Sequence, residues 1–186
     1  MSTITRIPGG VCAARGFTAN GIHCGIRKNK TKHDLSVIYS DVKAATACVY
    51  TTNRVKGAPL TVTKNHIADG YAQAVICNSG NANTCNADGI QIAETMCDLV
   101  YKATGIPAKD VIVASTGVIG QKLDITPIAN AMDELAAGLS YEGGSETIPC
   151  DNVVLSLGVR PDRATAEKLA DCVGESYIIG DSSYRG

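Results

Sequence analysis

A chain of 186 residues is long enough for one domain with a sizeable core, or one domain and part of a second, and short for two full domains. Seventeen Lys and Arg against 18 Asp and Glu leave a formal charge of −1, so no basic field holds a phosphate backbone and nucleic acid is not an expected partner. Hydrophobic residues at 45% and charged ones at 19% are the balance of a chain that folds, and with one Phe, seven Tyr and no Trp its core must come from Ala, Val, Ile and Leu.

In chain order, Pro8 to Gly16 is glycine-rich and a strand-like alternation follows it, which predicts a hairpin or loop pair before the polar stretch Arg27 to Asp34. Leu35 to Ser40 and Ala45 to Thr52 are β-branched runs and predict two antiparallel strands. Leu60 to Thr63 and Ala74 to Cys77 predict two further strands around a short helix over Lys64 to Gln73. Asn78 to Asn83 is a polar, glycine-bearing loop. Asp88 to Thr104 places Ile92, Ala93, Met96, Leu99 and Val100 at helical spacing, and Gly105-Ile106-Pro107 ends that helix. Asp110 to Ser115 is a buried strand, Thr116 to Gly120 the turn after it, and Thr126 to Leu139 a helix with Pro in its first turn. The alternation is an α/β, or layered α+β, sheet with helices packed on it. At Gly143-Gly144-Ser145 the character changes, so the expected domains are 1–143 and a short βαβ-like tail, 144–186.

The opening MSTITRIPGG carries no apolar stretch behind a charged one, and no run approaches the roughly 20 apolar residues of a membrane span, so the expected setting is cytoplasmic, away from a membrane. Eight cysteines without a CxxC pair, and three histidines at no ligand spacing to them, point to reduced core thiols and to no metal. His33 and His66, in polar stretches, are expected at the surface.

Polar residues directly after buried strands are where such folds place their sites. Asn78, Ser79, Gly80, Asn81, Ala82 and Asn83 can present side-chain amides to a substrate or form an ordinary tight turn. In Ser115-Thr116-Gly117-Val118-Ile119-Gly120, a glycine N–H and the Thr116 hydroxyl could converge as an oxyanion hole. Arg54, behind Thr51-Thr52-Asn53, either grips a carboxylate or is a solvated loop cation. No GxxxxGK[ST] loop, GxGxxG turn or GxSxG elbow occurs, which disfavours nucleotide-phosphate sites and a serine-hydrolase triad.

Four segments occur in register: Gly10 to Phe17, Val49 to Pro59 (VYTTNRVKGAP), Asn78 to Asn83 (NSGNAN) and Ala114 to Gly120 (ASTGVIG). Together they resemble the N-terminal, α-chain part of the ornithine acetyltransferase family, the bifunctional glutamate N-acetyltransferases of arginine biosynthesis. The resemblance implies acetyl transfer from N-acetylornithine to glutamate through a threonine at the N-terminus of a self-cleaved β chain. It implies Thr116 and Gly117 as the oxyanion pair, with the NSGNAN loop close by. The family's nucleophilic-threonine segment is not found here, so the expected partners are a β-type chain in a hetero-oligomer and amino-acid substrates. No cofactor is expected, with acetyl-CoA as an alternative acetyl donor. Residues 146–186, with CDNVVLSLGVRP and YIIGD, resemble the C-terminal part of enoate-reductase-type flavoproteins, which implies a flavin contact for Asp181. Two alternatives stand beside acetyl transfer: a non-catalytic assembly module, and a flavin- or nucleotide-binding oxidoreductase fragment.

Overall fold

In a computed structural model, described over residues 9–142, a four-stranded sheet is built from β1 (Phe17–Ile22), β2 (Leu35–Ala45), β3 (Tyr71–Asn81) and β4 (Val111–Val118). The spatial order follows the chain order, with β1 and β3 antiparallel to β2 and with β4 parallel to β3. Antiparallel neighbours need only short connections, whereas the parallel pair requires a crossover, supplied by α2 (Gly89–Thr104). Helices α1 (Ala58–His66) and α3 (Thr126–Ala137) complete the layer.

Alternation along the strands divides the sheet into two faces. Leu35 and Val37 of β2, Ala74 and Ile76 of β3, and Val111 and Val113 of β4 point to one side and are buried. They meet Val62 of α1, Ala93, Met96, Cys97 and Val100 of α2, and Ile128, Met132 and Leu135 of α3 in one aliphatic core, as the composition requires. On the other side Phe17, Ile38, Val75 and Ile112 line a shallow apolar groove. No described helix is long and apolar enough to cross a membrane.

The helix over Asp88 to Thr104 and its glycine stop are as the sequence predicts: Gly105 is left-handed (φ 80) and its N–H donates to the Tyr101 carbonyl. Other predicted elements differ. Leu60 to Thr63 is not a strand but the middle of α1, which starts behind Gly57 with Pro59 in its first turn; the predicted helix over Lys64 to Gln73 overlaps only its end. Tertiary contact outweighs β-propensity there, because Val62 and Thr63 are the residues that face the sheet. The Thr63 hydroxyl donates to the Val113 carbonyl (2.9 Å) and accepts from the Val113 N–H (3.1 Å), so α1 covers part of the open edge of β4. Ala45 to Thr52 is likewise no second strand. Strand β2 runs to Ala45 and its last pair is with Tyr71; beyond it the described residues form no further strand pairing, and Val49 is exposed. Finally, Asn78 to Asn81 and Thr116 to Val118, predicted as loop and turn, are the last rungs of β3 and β4. The junction expected at residue 143 and the tail 144–186 lie outside the described residues.

Candidate functional site

The two polar clusters lie side by side in the parallel ladder. Asn78 is opposite Ser115, Ser79 opposite Thr116, Gly80 opposite Gly117 and Asn81 opposite Val118. Asn78 and Ser115 therefore share the helix-covered face, and Ser79 and Thr116 share the other. This is the carboxyl end of parallel strands, where open α/β sheets place their ligands.

Two glycines let the ladder continue through this end. Gly80 and Gly117 both hold positive φ (104 and 132), a conformation that side chains rarely adopt. A Cβ at Gly117 would run into the carbonyl carbon of Gly80 and lie 2.5 Å from the Asn81 nitrogen.

The asparagines build the frame of this end. The Asn78 amide donates to the Asn81 carbonyl (3.0 Å), Asn81 Oδ1 accepts the Asn83 N–H (2.8 Å), and the Asn83 amide donates to the Gly89 carbonyl (2.8 Å) at the start of α2. The Asn81 amide donates to the Gln121 carbonyl beyond β4 (3.0 Å). Asn78 and Asn83 are wholly buried, and Asn83 takes a left-handed φ of 46, which asparagine tolerates. The tight-turn reading of NSGNAN thus describes much of what these side chains do. Three oxygens remain without a partner among the described residues: Asn78 Oδ1, Asn83 Oδ1 and Ser115 Oγ.

Thr116 and Gly117 are exposed, and so are Val118 (51%) and Ile119 (61%) directly after them. Arg54 is exposed on the irregular stretch before α1, where Thr51 and Asn53 only turn the chain: Thr51 Oγ1 accepts the Asn53 N–H and Asn53 Oδ1 the Val55 N–H. Among the described residues it makes no ion pair, and the structure does not join it to the asparagine frame. Asp181 lies outside the described residues.

One contributor was not singled out from the sequence. Arg27 reaches from the β1–β2 connection to the end of β3, where its Nε (2.9 Å) and Nη2 both donate to Ser79 Oγ. Buried Asp34 holds the base of that connection. Its carboxylate accepts the N–H groups of Cys24 (2.6 Å), Gly25 (3.3 Å) and Arg27 (2.7 Å) and pairs with His23 (3.2 Å). Its backbone carbonyl accepts the Ser79 N–H (2.8 Å), which fastens the connection to β3. Burial alone would push the Asp34 carboxyl up, but the N–H groups of Arg27 and Cys24 outweigh it and hold the group below its ordinary value. The signal available in the sequence was an aspartate at the end of the polar run from Arg27.

The expectation for the histidines and cysteines is met only in part. His66 is not a surface residue: its side chain is 10% exposed, with Nδ1 on the Val111 carbonyl (2.9 Å) and Nε2 on Glu94 (3.0 Å). No disulfide joins the six described cysteines, of which Cys97 is buried and Cys85 exposed. Burial pushes the Cys97 thiol up to about 12, which keeps it protonated and unreactive.

A mixed sheet helix-covered on one face, with a glycine-bent polar end on its parallel β3–β4 pair, defines an α+β protein whose candidate site lies at the strand termini. The model of the ArgJ family matches residues 18–167, and the chain belongs to that family. It is 42% identical to the arginine biosynthesis bifunctional protein ArgJ of Caldanaerobacter subterraneus over 70% of this chain and 32% of that one. It is 37% identical to the ArgJ of Thermosynechococcus vestitus over 97% of this chain and 42% of that one. The chain thus spans well under half the length of these curated relatives. Among solved structures, ArgJ of Bacillus halodurans superposes with a TM-score of 0.69 at 40% identity, covering 78% of each chain. The ornithine acetyltransferase of Mycobacterium tuberculosis, solved with ornithine, gives 0.71 at 30% identity, covering 78% of this chain and 81% of that one.

These matches correct one expectation. The flavoprotein resemblance of residues 146–186 finds no support, since the family match runs to residue 167 and the Thermosynechococcus relative aligns with nearly the whole chain. The flavin contact implied for Asp181 and the oxidoreductase alternative rested on that resemblance, and Asp181 lies outside the described residues.

Proposed function

We propose that this chain supplies the oxyanion-stabilising part of an acetyltransferase that moves an acetyl group from N-acetylornithine to glutamate, and that a β-type chain supplies the nucleophile. The threonine hydroxyl of that partner attacks the acetyl carbonyl. Ornithine leaves with the proton, an acetyl ester remains on the threonine, and the glutamate amine then displaces it. Each attack places negative charge on the carbonyl oxygen, and the Thr116 hydroxyl with the Gly117 N–H stabilises it.

The observation that carries this reading is the pairing of the two clusters at the end of β3 and β4. Val113 turns its N–H to the open edge of β4, where Thr63 accepts it. By strand alternation the N–H of Gly117, four residues on, faces that edge too. The exposed hydroxyl of Thr116 precedes it directly, and among the described residues nothing bonds to that hydroxyl. The asparagines act as the frame that fixes this end, and substrate contact by Asn78, Ser79, Asn81, Asn83 or Arg54 is secondary to it. Exposed Val118 and Ile119, and the apolar groove on the sheet face that no described helix covers, support a second chain in the working assembly. We read residues 1–143 as the part that forms the site.

The experiment is an N-acetylornithine-to-glutamate assay with and without a co-expressed β-type chain, with intact-mass detection of a 42 Da acetyl adduct on that chain (about the mass of one acetyl group replacing a hydrogen). Transfer and adduct that appear only in the mixture are the expected result. A folded complex without either contradicts the reading and favours the non-catalytic assembly module.

A further inference from the structure

Arg27 has more donors than its surroundings use. Its guanidinium carries five N–H groups, and the two bonds it makes among the described residues, from Nε and Nη2, both end on the single neutral Ser79 Oγ. No carboxylate pairs with it among the described residues, although the side chain is half-buried. A partly desolvated cation whose planar fork meets only one hydroxyl is ready to donate two parallel hydrogen bonds to a carboxylate.

Its position is fixed from three sides. Asp34 holds its backbone N–H, and Ser79 holds its head. Gly80 makes room for its stem: a Cβ there would lie 2.9 Å from Arg27 Cγ. Ser79 is the ladder partner of Thr116, so the residue that holds the guanidinium stands one strand spacing, about 4.8 Å, from the residue that bears the proposed oxyanion donor.

We propose that Arg27, braced by Ser79, binds the carboxylate of the amino-acid substrate and so sets which acyl donors and acceptors present their reacting group at Thr116. The assignment rests on the acetyl-transfer reading above and adds a specificity residue to it. In an α-amino acid the carboxylate sits on the same carbon as the amine that carries the acetyl group, which gives the chain a charge to read beside the reacting amide without touching the acetyl group itself.

The test uses the chain co-expressed with its β-type partner. Arg27→Gln is expected to raise the KM for N-acetylornithine roughly 10- to 100-fold, the loss of hydrogen bonds to a charged group, with kcat changed little. Arg27→Lys keeps the charge and is expected to recover part of the loss. The C-terminal amide of N-acetylornithine, used as a competitor, should inhibit the unsubstituted and Arg27→Gln complexes alike, because it lacks the charge that Arg27 reads. An unchanged KM, a lysine variant no better than glutamine, or amide inhibition weakened in parallel each overturns the role of Arg27 while leaving acetyl transfer standing. Absence of transfer in the unsubstituted complex overturns both.

Discussion

The middle and the carboxyl end of the β3–β4 pair belong to the same two strands and follow opposite rules. In the middle, Ala74, Ile76, Val111 and Val113 are apolar and buried under three helices, and even the outward groups of Val113 find the Thr63 hydroxyl. At the end, from Asn78 and Ser115 to Gly80 and Gly117, the opposing residues are polar or glycine, two backbones hold positive φ, and buried oxygens of Asn78 and Ser115 lack partners among the described residues. Natural sequences keep such violations where function requires them, which fits the proposal that the middle carries the stability and the end the chemistry.

Substitutions on either side can break or sharpen that contrast. Ile76→Ala empties the centre of the core and should lower stability by about 2–5 kcal/mol, read as a denaturation midpoint. If it cost less than 1 kcal/mol, the middle would not be the source of stability. Asp34→Asn, which spoils the carboxylate that gathers three N–H groups, should cost about 1–3 kcal/mol at neutral pH. The sign with pH follows from its lowered folded-state value: its contribution is full above the ordinary carboxylate range and is lost as pH falls through and below that range. The wild-type and Asp34→Asn stabilities should therefore converge on acidification, and a gap that persists in acid would assign the effect to packing. Ser115→Ala removes a buried hydroxyl with no described partner and should change stability by less than about 1 kcal/mol in either direction. A larger loss would show that the end of the pair is as fully bonded as the middle. The smallest effect is chemical: in the native protein Cys85 should be alkylated at pH 8 well before Cys97, whose thiol is buried and pushed up to about 12.

The same contrast explains what the sequence disclosed. Strands and helices that build the middle were legible where period and stop signals agreed, as in α2 with its Gly105 cap. Leu60 to Thr63 misled because β-branched residues suit either a strand or the sheet-facing side of a helix, and only contact with β4 decides. Both polar clusters stood out as candidates, but glycine and asparagine signal a turn in isolation. That they continue the ladder depends on each strand meeting a glycine opposite its own, a relation between residues 37 positions apart. Arg27 was invisible for the same reason: its role comes from Ser79, which the fold brings to it.

The central claim is that the end of β3 and β4 stabilises negative charge in an acetyl transfer completed by a partner chain. Its most direct test is the transfer rate of the reconstituted complex carrying Thr116→Ala. Thr116 is exposed, so the substitution should leave the melting temperature close to that of the unsubstituted complex. The account predicts a fall in kcat of roughly 100- to 1,000-fold, the loss typical of one oxyanion donor. An unchanged rate in a folded complex would remove Thr116 from the chemistry and contradict the account.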